Sequence, residues 1–107
     1  MQVLVNSGSF VVTDAIDERA RAEAEGALDR FRDRVTRVEV HVDDVNGPKA
    51  GIDKRCMMEV RLSGQPPMAV EHQAEDLYEA IAGAAKKLER AVSNRLGRLD
   101  DLHRGGL

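Results

Sequence analysis

The chain has 107 residues, a formal net charge of -3, one cysteine, no tryptophan, and one tyrosine and two phenylalanines as its complete aromatic set. That length makes one domain with a modest core, and a single thiol excludes both an intramolecular disulfide and a cysteine-rich zinc site. So few rings exclude recognition by stacking bases on aromatic platforms, leaving backbone and shape as the route to any nucleic acid.

Gln2 to Val5 is short and β-rich and reads as a first strand, followed by the polar turn Asn6-Ser7-Gly8-Ser9 and by Phe10-Val11-Val12, whose side chains are expected to tuck into the core. Thr13 is a good N-cap, and Asp14 and Asp17 stand where a helix N-terminus favours negative charge. A first helix is predicted from there to about Asp33, burying Ile16, Ala20, Ala24, Ala27, Leu28 and Phe31. On its wet side Arg19 with Glu23 and Arg21 with Glu25 are four-residue ion pairs. Strict alternation begins at Arg37, with Val38, Val40 and Val42 inward and Arg37, Glu39, His41 and Asp43 outward. Asn46 to Gly51 is a breaker-rich loop. Alternation resumes with Cys56, Met58, Val60 and Leu62 inward, and a turn at Ser63-Gly64-Gln65-Pro66 leads to a last strand through Met68 and Val70 that ends near His72.

A long second helix is predicted from near Glu75 to Leu99. Leu77, Ile81, Ala84, Leu88, Val92 and Leu99 recur at three- and four-residue steps and make a dry stripe. Lys86, Lys87, Arg90 and Arg98 fall on the other side, a basic ridge set against an acidic global balance. Such a ridge suits a phosphate backbone; it is equally the solvated face of an ordinary surface helix. The order strand, helix, three strands, helix makes an α+β domain, β-α-β-β-β-α. Its first crossover pairs two strands in parallel, the rest form an antiparallel meander, and both helices cover one face of a four-stranded sheet, since each strand has a single apolar side.

No convergent catalytic set appears, and the reading is of a protein that is not an enzyme and takes no cofactor. His41 reads as surface decoration, His72 as a strand-end residue with a local hydrogen bond, and His103 as part of the tail. Asp43-Asp44 lacks a third ligand for a metal. Cys56 is a small core hydrophobe. Gly47 and Gly51 lack the spacing of a phosphate-cradling loop, and Met57 stands out as an apolar residue on the outer sheet face. No stretch reaches the length of a membrane span, and Met1 to Asn6 carries no signal-peptide pattern, so the expected compartment is the cytoplasm.

Two segments in order, Val12-Thr13-Asp14-Ala15-Ile16 and Glu75-Asp76-Leu77-Tyr78-Glu79-Ala80-Ile81, with the continuation Lys86-Lys87-Leu88-Glu89-Arg90, resemble the short ribosome hibernation promoting factor family, also called protein Y or ribosome-associated inhibitor A. The likeness covers Met1 to about Leu99, taken as one domain of residues 1–99, with 100–107 as a disordered tail. It implies a fold similar to double-stranded-RNA-binding domains. It also implies binding to the small ribosomal subunit in the decoding channel, where the domain would block messenger and transfer RNA, inhibit translation and preserve idle ribosomes under stress. Lys87 and Arg90 match basic positions of the family's second helix; Lys86 and Arg98 share their side, and Arg19 and Arg30 on the first helix are further candidates for ribosomal RNA contact. Asn94, Leu96, Asp100 and Asp101 stand where the family usually carries basic residues, and the chain ends without the extra domain with which long members pair ribosomes. Those departures, the acidic balance and Met57 motivate the alternative: a divergent paralogue serving as a protein-interaction or regulatory module without ribosome binding.

Overall fold

A computed structural model of the chain describes residues 1–45 and 53–105, the side chains as far as Leu102. The breaker-rich loop expected over 46–51 lies outside the described residues. The elements follow the expected order: β1 (Gln2–Asn6), α1 (Asp14–Leu28) continued by a 3-10 segment (Asp29–Arg34), β2 (Val35–Asp44), β3 (Lys54–Leu62), β4 (Met68–Ala74) and α2 (Leu77–Gly105). The four-stranded sheet is ordered β1-β2-β3-β4, with β1 parallel to β2 and the other neighbours antiparallel.

Period-two alternation explains the sheet. Val38, Val40 and Val42 of β2 and Cys56, Met58, Val60 and Leu62 of β3 are all buried on the face that receives both helices. Ala20, Ala24, Ala27 and Leu28 come down from α1, and Ala80, Ile81, Ala84, Ala85, Leu88, Val92 and Leu96 from α2. Small residues on both helices let them lie close to the sheet and to each other. Leu28, Met58, Ile81 and Leu88 are the largest fully buried side chains, each contributing about 1.5–3 kcal/mol of burial. Phe10 and Val12 lie half-buried against this core, whereas Val11 between them is 86% exposed.

Several boundaries differ from expectation for local reasons. Thr13 caps α1 as predicted, its Oγ1 accepting from the Ile16 N–H at 3.2 Å, but the α-helix stops at Leu28 and the next six residues tighten into a 3-10 segment. That leaves Phe31 half-buried beside the core, as its helical spacing foresaw. Arg21 does not pair with Glu25. Half-buried beside β1, it donates to the Asp17 carboxylate at 2.8 Å and to the Val3 carbonyl at 2.6 Å. β2 starts two residues early because Val35 pairs with Leu62 across an irregularity in register. β4 runs on to Ala74, paired with Lys54. The turn before it needs Gly64, whose φ of 73° is left-handed. α2 starts at Leu77 with Asp76 as its cap, the carboxylate accepting from the Glu79 N–H at 3.1 Å, and continues to Gly105, into the stretch set apart as a tail.

Candidate nucleic-acid interface

α2 positions most of the candidate cations. Its buried side is held by Ile81, Leu88, Val92 and Leu96, so residues half a turn away must face solvent. Lys86, Lys87, Arg90 and Arg98 are all exposed there, and Lys86 and Arg98 stand about 18 Å apart along the axis at 1.5 Å per residue. Among the described residues no carboxylate lies within 4.0 Å of any of the four. Lys87 alone has a directed partner: its Nζ donates to the main-chain carbonyl of Glu71 in β4 at 2.9 Å.

The α1 side differs. Arg19 pairs with Glu23 at 3.2 Å and lies over the ring of Tyr78, 5.3 Å from its centroid. Arg30, in the 3-10 segment, reaches across to Glu89 of α2 at 3.8 Å and rests on Phe31, 4.5 Å from its centroid. Arg34 does the same further along, meeting Asp100 at 3.6 Å. These cations join the two helices and are partly neutralised in doing so.

Arg30, Lys86 and Arg90 come together with Glu89, Ser93 and Asn94 around one open groove between the helices. Arg98 lines the next depression with Asn94 and Asp101, and Arg19 sits apart at the Tyr78 end. Lys86 also borders a second groove, on the opposite flank of α2, with His72, Gly83 and Lys87. Among the described residues His72 makes no local hydrogen bond of the kind expected of it; its ring packs on Gly83 instead. The contact joins strand and helix across the fold, and the signal for it was a glycine in mid-helix, which weakens a helix by about 1 kcal/mol relative to alanine and so implies a close approach. Leu96, read as a missing basic residue, is 5% exposed and belongs to the core.

The acidic pair and the cysteine are committed to structure. Asp43 Oδ1 accepts from the Gly8 N–H at 2.9 Å, Ser9 Oγ at 3.1 Å and Ser7 Oγ at 3.3 Å. Burial pushes its carboxyl upward, but those donors and Arg55 outweigh it and hold the group below the usual carboxylate value. Asp44 turns to Lys54 at 3.3 Å instead, so the two carboxylates diverge, and no group of three possible metal ligands exists among the described residues. Cys56 is fully buried, its thiol pushed up to about 12 by desolvation. Met57 is half-buried between its cross-strand neighbours His41 and Glu71. No described helix is long and apolar enough to cross a membrane.

Comparison with known proteins places this geometry. Residues 3–100 match the family model described as Sigma 54 modulation protein / S30EA ribosomal protein. The structure is similar to the N-terminal domain of Protein Y from Thermus thermophilus, at 29% identity and a TM-score of 0.71, over 88% of this chain and 98% of that one. It also shares its fold with a ribosomal subunit interface protein from Coxiella burnetii, at 18% identity and a TM-score of 0.74, over 91% and 99% of the two chains. A comparison with curated proteins returned no match. With the β-α-β-β-β-α order, the two helices on one sheet face and a family match across nearly the whole chain, the protein belongs to the Sigma 54 modulation protein / S30EA ribosomal protein family, the hibernation promoting factor group.

Proposed function

We propose that this protein is a ribosome-associated translation inhibitor that binds the small subunit at the decoding channel and excludes messenger and transfer RNA. The observation that carries the reading is the row of cations on α2 that have no carboxylate partner among the described residues, on a chain of this family. Lys86, Arg90 and Arg98 present charge to phosphates, and the lack of an exposed aromatic platform fits contact with backbone rather than bases. Arg19 and Arg30 contribute less, being tied to Glu23 and Glu89. Inhibition of this kind needs only occupancy, so a folded domain without a reacting centre suffices. It acts in the cytoplasm, where ribosomes work.

Cosedimentation with purified small subunits tests it. The wild type should travel with the subunit at low salt and dissociate as salt rises. Lys86→Glu with Arg90→Glu should flatten the log–log salt dependence by about 1.4–1.8, at roughly 0.7–0.9 per phosphate contact, and relieve inhibition in a purified translation system. Absence of the wild type from the subunit fraction at low salt overturns the proposal. An unchanged salt slope in the double variant overturns the role of α2.

A further inference from the structure

The groove between α2 and β4 carries an imidazole, which the one between the helices lacks. Lys86 and Lys87 stand on its helix side and His72 on its strand side, with Gly83 forming the floor and Glu79 as its one lining carboxylate. Gly83 is required by the fit, since a Cβ there would overlap Cδ2, Cγ and Nε2 of the imidazole. The ring is therefore fixed in orientation by its packing. Among the described residues neither ring nitrogen has a hydrogen-bond partner, and neither is a buried unsatisfied atom, so both keep access to the groove or to solvent.

The groups around His72 are few. From α2 come Glu79, Lys86 and Lys87. Asp76, at the start of the helix, is engaged with the Glu79 N–H. From β3 the register partner is Cys56, neutral and buried, and Lys54 at the strand's end is tied to Asp44 and Asp53. On β4 itself Glu71 and Gln73 alternate to the other face of the sheet, and the Glu71 carbonyl holds Lys87. Two lysines thus line the groove together with an imidazole whose nitrogens are uncommitted among the described residues.

We propose that this groove is a phosphate-binding site in which His72 is the proton-dependent third donor beside Lys86 and Lys87. Neutral imidazole offers one N–H; protonated, it offers two and a positive charge. An RNA phosphodiester seated here gains a charge-assisted contact as pH falls from 8 to 6. The RNA source of that phosphate rests on the reading above; the site itself does not.

Two measurements separate these. Cosedimentation of the full chain with small subunits at pH 6 and pH 8 should show wild-type affinity on the order of fivefold higher at pH 6. His72→Gln should lose that ratio, whereas His41→Gln, on the opposite sheet face, should retain it. In parallel, inorganic phosphate is titrated into protein carrying labelled histidine rings and followed by nuclear magnetic resonance. The His72 ring signals should move at pH 6 and those of His41 should not. If His72→Gln keeps the wild-type pH ratio, or phosphate leaves the His72 ring unmoved at pH 6, the site is overturned. If the wild type fails to cosediment at either pH while phosphate moves the ring, the groove stands as a phosphate site and the ribosome reading falls.

Discussion

α1 and α2 lie side by side on one face of the sheet and both carry arginines, yet their cations are in different states. Those of α1 and its 3-10 extension are tied down: Arg19 to Glu23 and Tyr78, Arg21 to Asp17 and Val3, Arg30 to Glu89 and Phe31. Those of α2 have no carboxylate within 4.0 Å among the described residues. Counting positive charges along the chain treats the two helices alike. What separates them is where carboxylates stand after folding, and an unpaired cation on a rigid helix loses less on meeting a phosphate, because no internal partner has to be given up.

The largest expected effect breaks the comparison at its foundation. Leu88 is fully buried on α2, directly beneath the helix's exposed cations. Leu88→Ala should lower stability by about 2–5 kcal/mol in denaturant unfolding and weaken subunit binding through loss of a firm ridge. A loss below 1 kcal/mol would show that α2 is anchored elsewhere.

A smaller change isolates the α1 side. Asp43 holds the loop that leads into Thr13, and Asp43→Asn should cost about 1–2 kcal/mol at neutral pH, as expected for hydrogen bonds to a charged acceptor, while leaving subunit affinity intact. The sign with pH follows from the direction of its shift. The folded pKa lies below the ordinary 3.8, so the contribution is full above that value and is lost as pH falls through the lower folded one. Wild type and Asp43→Asn should therefore converge in stability as the pH is taken progressively below 3.8. A gap that does not shrink on that acid side would assign the role to packing rather than charge.

The smallest effect sharpens the contrast itself. Arg30→Gln should leave the salt slope of subunit binding nearly unchanged and alter stability by less than about 1 kcal/mol, the usual range for an exposed ion pair. Arg98→Gln should lower the slope by about 0.7–0.9. Equal slopes for the two variants would erase the distinction between the helices.

Much of this was legible in the residues. The valine alternation of β2, the cap at Thr13 and the heptad-like spacing of Leu77 to Val92 are local signals, and each produced the expected element. Leu96 was not legible as core, because its reading came from what relatives carry at that place, whereas the fold turns it inward; one motive for the divergent-paralogue alternative goes with it. The half-buried setting of Met57 weakens another. Arg21 chose Asp17 over Glu25 because β1, eighteen residues away in sequence, supplies the Val3 carbonyl on that side. His72 likewise depends on Gly83, a partner that no local rule relates to it.

Lys87 has a second consequence at the rim of the sheet. β4 is an outermost strand, and a free strand margin invites a stranger's backbone to pair with it, the route to fibres and tangles. By laying its ammonium on the Glu71 carbonyl, Lys87 occupies part of that margin with the protein's own side chain, and the Glu71 carboxylate beside it repels a like strand arriving antiparallel about the same point. The domain thereby carries a guard against polymerising through its own edge.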